Sequence, residues 1–230
     1  MEKIAVAPES LETMDYNQKY SDEYYSDYIK RFSPNPSKRI VFRFLKRMGD
    51  FLLSAFGMIL CLPIFAIISL AIKIDSKGPV IFKQERIGKD GKPFLCLKFR
   101  SMRIDAPSNS PTSLLDNPQQ FYTRVGGFLR KTSLDELPQL WCVLIGKMSI
   151  IGYRPLVPNE QKANEMRSQL GVFSMRPGIS GLAQVKGRDD VYYKNKALLD
   201  AEYVKNASIW MDIKIIFDTV RVVFKMKGIK

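Results

Sequence analysis

The chain has 230 residues, 46% of them hydrophobic, a formal net charge of +13 and no histidine. That length suits one domain with a core plus membrane or interaction segments, and excludes two full-size globular domains. Without histidine there is no Ser-His-Asp or Cys-His mechanism and no ordinary zinc site, and Cys61, Cys96 and Cys142, odd in number and in no CxxC pair, indicate neither a disulfide framework nor a metal knuckle.

The charge is unevenly spread. Residues 1–28 carry seven acids against two lysines, a net of −5, which leaves +18 on the rest. The acidic, tyrosine-rich start, closed by SPNPS at 33–37, reads as a mobile extension over residues 1–37. The basic body calls for a polyanionic neighbour: nucleic acid, anionic lipid headgroups or phosphorylated substrates.

Lys38 to Gly49 predicts a basic lead-in helix. From Phe51 to Ile72, FLLSAFGMILCLPIFAIISLAI holds no charged residue. As a straight helix it would reach about 33 Å, enough to cross a hydrocarbon core. It starts too far from the N-terminus, and lacks the cleavage signature, for a secretory signal peptide. Lysine and arginine flank it on both sides, so the positive-inside rule is better satisfied with both ends cytoplasmic. Pro63 sits near its middle, where proline kinks or breaks a helix into arms of about 16 Å, roughly one leaflet each. The expectation is a re-entrant helix-break-helix at about 50–72, ahead of a kinked single span or a soluble core helix.

Beyond it, PVIFKQERI and PFLCLKFRSM flank GKDGK, where Asp90-Gly91 signals a β-hairpin. Residues 105–120 read as a proline- and serine-bearing loop. Helical pattern returns at Leu137, Leu140, Trp141 and Leu144 and stops near Gly146. The pieces GYRPLVPNE and MRPGISG are turn-rich, and a helical region begins at about Lys194. In the tail Ile213, Ile216, Phe217, Val220 and Phe224 share a helical face, which suits either the membrane interface or packing onto the domain. No Walker loop or dinucleotide fingerprint is present.

Between these elements lies RKTSLDELPQL, residues 130–140. Ser133-Leu134-Asp135-Glu136 matches a capping box, and Asp135 could instead cap a helix with Pro138 in its first turn. Adjacent carboxylates do not suit glycoside hydrolysis, which needs two of them across a substrate, about 5 Å or more apart. Arg130, Arg154, Arg176 and Arg188, each of the last three beside glycine or proline or in a turn, bring guanidinium groups suited to phosphate. Carboxylates, arginines and a membrane segment together suggest phosphoryl transfer at a bilayer surface, with a carboxylate as nucleophile. A helix start would favour an anionic phosphate and keep Asp135 ionised.

In order, KRMGD, the Pro63-interrupted apolar segment, SKGPVIFKQERIGKDGKPF, KFRSM, TSLDELPQLW, GYRPL, RPGISGLAQVKGRD and DIKIIFDTV resemble the bacterial monotopic phosphoglycosyl transferases, also called bacterial sugar transferases or polyprenyl-phosphate hexose-1-phosphate transferases. The resemblance runs from about Lys46 to the C-terminus. It implies an α+β, mainly helical, monotopic membrane enzyme with a re-entrant helix, a small β-hairpin and amphipathic interfacial helices. Residues 38–73 would be lead-in and membrane helix, and residues 74–230 the catalytic domain on the cytoplasmic face of the bacterial membrane.

The implied reaction moves a sugar 1-phosphate from a UDP-sugar to undecaprenyl phosphate, releasing UMP and beginning capsule, exopolysaccharide or related glycan synthesis. Asp135 is then the nucleophile, forming a phosphosugar-aspartyl intermediate, and Glu136 its partner. Mg2+ is the implied cofactor, held at Asp135. Lys98, Arg130, Arg154, Arg176 and Arg188 are expected at substrate phosphates. Anionic lipids are further expected partners, polysaccharide-assembly proteins or a second copy remain open, and no nucleic acid is expected. Two positions depart from the family pattern. Leu62 replaces the serine common before the helix-breaking Pro63, and Tyr153 in GYRP replaces a proline, which is expected to loosen that turn without moving Arg154. The competing readings are a membrane-tethered basic nucleic-acid-binding protein and a non-catalytic scaffold of polysaccharide assembly.

Overall fold

The computed structural model describes residues 40–107, 117–187 and 193–224; the acidic extension at 1–37 and Arg188 lie outside the described residues. The architecture is α+β and mainly helical. Its first element, α1 (Ile40–Asp75), is one helix of 36 residues, so the basic lead-in and the apolar segment are continuous. Leu62 and Pro63 lie inside that helix. The two separate arms expected there are a single helical element, because an interior proline removes one backbone hydrogen bond and can bend a helix without ending it.

Helix α1 touches the rest of the protein along one stripe. Asp50, Ser54, Ile68 and Ile72 are buried, and Gly57, Cys61 and Phe65 between them are half-buried, at the i, i+4, i+7, i+11 spacing of one helical face. Leu140 packs where Gly57 leaves room, and the Phe65 ring lies 5.1 Å from that of Phe99. The remaining circumference exposes Phe51, Leu52, Phe56, Ile59, Leu60, Ile67 and Leu70. By length and composition this is a helix able to cross a membrane, and an apolar surface of that extent marks a membrane or partner contact.

Polar anchors hold both ends of the stripe. The Arg47 guanidinium donates to Val143 O and Leu144 O at 2.7 and 2.8 Å, and Asp50 accepts from Ser149 Oγ and Ile150 N. At the far end the buried Arg100 donates to Ser76 O and Lys77 O, closing the α1 C-terminus.

The hairpin forms as read: β1 (Ile81–Ile87) pairs antiparallel with β2 (Pro93–Phe99), with Ile81 opposite Phe99. Asp90 and Gly91 both take positive φ in its turn. Helix α2 (Arg124–Thr132) starts from Thr123, whose side chain accepts from Gly126 N, and Asp75 accepts from Val125 N. Helix α3 (Gln139–Leu144) packs Cys142 and Val143 against Phe94 and Cys96 of the hairpin.

A second sheet was not foreseen in the turn-rich pieces. Strand β3 (Ser149–Ile151) pairs parallel with β4 (Gly178–Ser180), with Ser149 opposite Gly178. The glycines of GYRP and RPGISG permit this: a Cβ on Gly178 would come within 2.1 Å of Gly152 N, and one on Gly181 within 1.9 Å of Gly152 O. The GYRP turn is not loosened by its tyrosine. Tyr153 is buried edge-on to Phe173, and its carbonyl accepts from Gly178 N at 2.8 Å.

Helices α4 (Gln161–Gln169), α5 (Leu182–Gly187), α6 (Tyr193–Asn206) and α7 (Ile209–Phe224) complete the fold around Leu170, Val172, Leu198, Leu199 and Tyr203. In α7 Ile215 is buried and Ile216 packs on the core, whereas Ile213, Phe217 and Val220, joined by Trp210, face outward. Lys46 of α1 pairs with Asp212 at 2.7 Å, and Tyr203 donates to the same carboxylate.

Beneath this region Arg167 pairs with Asp200 at 2.5 Å, both nearly sealed from water. Burial raises the Asp200 carboxyl to about 6, with Arg167 pulling against that rise. Asp200→Asn leaves Arg167 buried without its counter-ion, so a loss of about 3 kcal/mol is expected in denaturant or thermal unfolding, and an Arg167→Met/Asp200→Leu double variant should recover most of it.

Candidate active site

The carboxylate pair sits on a single 3-10 turn, Leu134–Glu136, between α2 and α3. Neither capping arrangement forms. Ser133 takes left-handed backbone angles and makes no side-chain cap, and α3 begins behind Pro138 without a side-chain cap. Leu134 and Leu137 pack onto the Ile68, Ile72, Phe99 and Leu129 cluster, which fixes the turn from below. The carboxylates are thus not consumed by the backbone.

Their surroundings differ. Glu136 accepts from Lys98 Nζ at 2.6 Å and faces Arg154 Nη2 at 3.4 Å. Burial alone would raise the Glu136 carboxyl, but Lys98 and Arg154 hold it down at about 2. Asp135 is 6% exposed and, among the described residues, accepts no hydrogen bond. Burial raises its pKa, opposed by Lys98, reinforced by Glu136 and opposed again by Arg130 and Arg154. Neighbouring cations thus oppose, without cancelling, the rise that burial imposes on Asp135. Arg130 is seated over the Tyr122 ring, 4.7 Å from its centroid.

The structure thus gathers Lys98, Arg130 and Arg154 about Asp135 and Glu136. Arg176 is elsewhere: its Nε–H donates to Gly146 O, and its charged neighbours are Arg47, Asp50, Asp90 and Arg43. Tyr122, Arg100 and Asp75 were not singled out in the sequence. The signal for Arg100 was its place in KFRSM beside Lys98, and Tyr122 carried none.

Among the described residues no three acidic or cysteine side chains cluster as a metal cage. Mg2+ needs no such cage, since one or two carboxylates with substrate phosphates suffice, and the unbonded Asp135 carboxylate fits that donor set.

Glu136 carries a stability signature. Its folded pKa of about 2 lies below the ordinary 4.5, so the stability it supplies is full above pH 4.5 and lost as pH falls towards 2. Melting temperature followed from pH 6 to 3 should fall less steeply for Glu136→Gln than for the unaltered chain, while the variant is the less stable of the two at pH 7.

A charge-lined site thus stands in a chain whose long first helix is apolar and exposed enough to cross a membrane. The sequence model for the bacterial sugar transferase family matches residues 41–226, and the chain belongs to that family. It is 41% identical over 216 residues to the UDP-galactose-lipid carrier transferase of Erwinia amylovora, covering 87% of this chain and 44% of the relative. It is 43% identical over 185 residues to the UDP-glucose:undecaprenyl-phosphate glucose-1-phosphate transferase of Escherichia coli (strain K12), covering 77% and 40%. The chain thus spans less than half the length of these two relatives. With the exopolysaccharide production protein ExoY of Rhizobium meliloti (strain 1021) it shares 36% identity over 199 residues, 80% of this chain and 87% of the relative.

Proposed function

We propose that the protein transfers a sugar 1-phosphate from a UDP-sugar to undecaprenyl phosphate and so begins the synthesis of capsule, exopolysaccharide or a related glycan. The observation that carries this is the division of labour in the pair: one carboxylate that accepts no hydrogen bond among the described residues, the other clamped by two cations. The names of the relatives supply the substrate class.

An Asp135 Oδ attacks the sugar-bearing phosphorus. The bond from that phosphorus to the bridging oxygen breaks, its electron pair leaves with UMP, and a phosphosugar-aspartyl ester remains. A phosphate oxygen of the prenyl acceptor then attacks the same phosphorus and the Asp135 carboxylate departs. Burial strengthens the nucleophile by limiting its hydration, while Lys98, Arg130 and Arg154 oppose the rise in its pKa that burial causes and offset charge on the transferring group. A carboxyl with a pKa of about 2 is a weak base, so Glu136 orients Lys98 and Arg154 and does not take a proton. Bound at Asp135, Mg2+ would neutralise diphosphate charge.

The same reading puts the site on the cytoplasmic face, with α1 re-entrant. Both halves of α1 dock on one domain, through Arg47 and Asp50 at one end and Ile68 and Ile72 at the other. That arrangement favours both ends on one side of the bilayer.

Two experiments test these parts separately. In nanodiscs supplied with undecaprenyl phosphate, Mg2+ and a panel of UDP-sugars, UMP release is expected for at least one sugar, with an Asp135-linked phosphosugar by mass spectrometry. Asp135→Asn should lower turnover by about a thousandfold or more; full turnover would remove Asp135 as nucleophile. For topology, Leu45→Cys and Lys77→Cys should react with an impermeant maleimide from the same side of sealed vesicles, and labelling from opposite sides would overturn re-entrance.

A further inference from the structure

The first turns of α1 have two faces. Val41, Phe44, Leu45, Met48 and Leu52 are exposed and apolar, whereas Arg43, Lys46, Arg47 and Asp50 recur at i, i+3, i+4, i+7 on the other side. That second face, with Lys89 and Arg176, lines a cavity of about 200 Å³. Neither Asp135, Glu136, Lys98, Arg130 nor Arg154 lines it.

The charges in this cavity are unevenly matched. Lys46 is paired with Asp212, and Lys89 with Asp90. Arg47 commits both terminal nitrogens to Val143 O and Leu144 O. Among the described residues Arg176 gives only its Nε–H, to Gly146 O, and Arg43 makes no hydrogen bond or ion pair. Three guanidinium groups thus surround one cavity with Asp50 as its lining carboxylate; Arg47 is fixed in place by two backbone carbonyls, and Arg43 and Arg176 are the less committed. Capping the C-terminus of α3 accounts for Arg47 and for one edge of Arg176, but not for Arg43 or for the other edge of Arg176.

We propose that this cavity binds a phosphate group, held by Arg43 and the free edge of Arg176. Guanidinium forks match phosphate oxygens, and the apolar face on the same turns puts the cavity at the level where lipid headgroups lie. The phosphate could belong to a membrane lipid or to a soluble phosphate ester. The site does not depend on the proposed transfer reaction.

The test uses the full chain carrying Asp135→Asn in a phosphate-free, non-ionic detergent, so that no covalent intermediate forms. Inorganic phosphate and monomeric dihexanoyl phosphatidic acid are titrated calorimetrically. Both should bind, and Arg43→Gln, which breaks no contact in the fold, should weaken binding about tenfold, with partial recovery in Arg43→Lys. Tighter binding of the lipid than of inorganic phosphate assigns the site to a headgroup, and equal binding assigns it to a soluble phosphate. The proposal is overturned if neither probe binds, if Arg43→Gln and Arg176→Gln leave both isotherms unchanged, or if binding survives Arg43→Gln but is lost in Arg130→Gln, which would locate the phosphate at the carboxylate pair.

Discussion

The docking of α1 along one stripe is the constraint from which the rest of the structure follows. A helix that leaves most of its circumference apolar and exposed has only a narrow face left with which to hold a domain, and an unpaired polar group buried in that face is costly. The stripe is accordingly polar at its ends. Lys46, Arg47 and Asp50 tie one end to α7, α3 and β3, and the cap from Arg100 ties the other. Between them Gly57, Cys61, Phe65, Ile68 and Ile72 are apolar, and Ser54 satisfies its hydroxyl on Phe51 O.

From the far end of α1 the same chain of contacts leads to the carboxylates. Asp75 accepts from Val125 N at the start of α2, and α2 delivers Arg130 from its last turn. Arg100 holds the α1 terminus from a position two residues beyond Lys98, so the group that fixes the helix and the group that fixes Glu136 belong to one short segment. Arg154 arrives from the other direction, and its carbonyl accepts from the buried Arg167, which is itself paired with Asp200. The cations about the pair therefore come from three separate elements: Lys98 from β2, Arg130 from α2 and Arg154 from the segment after β3.

Features governed by local pattern were legible in the sequence. The apolar run, the Asp90-Gly91 turn, the helix after Pro138 and the amphipathic tail each depend on near neighbours. The pair at Asp135 and Glu136, with Lys98, Arg130 and Arg154, was legible because the motifs that carry them recur together in a known family. The parallel pairing of β3 with β4 was not, since it depends on backbones meeting at Gly152 and Gly178, which turn-rich segments do not announce. Nor was the fate of Arg176. An arginine between methionine and proline in a probable turn reads alike whether it faces a substrate or a carbonyl, and only the third dimension set it beside Gly146 and Arg43.

Arginine at a helix C-terminus and arginine at a phosphate draw on the same donors, so the two uses compete unless the donors are divided. Around α3 they are divided. Arg47 gives one N–H from each terminal nitrogen to Val143 and Leu144, so that guanidinium cannot turn to a ligand without giving up its hold on the end of a six-residue helix. Among the described residues Arg176 spends one N–H and Arg43 none. An anion can therefore enter beside them without loosening α3, whose other end follows directly on the turn that carries Asp135 and Glu136. The short helix separates two basic regions.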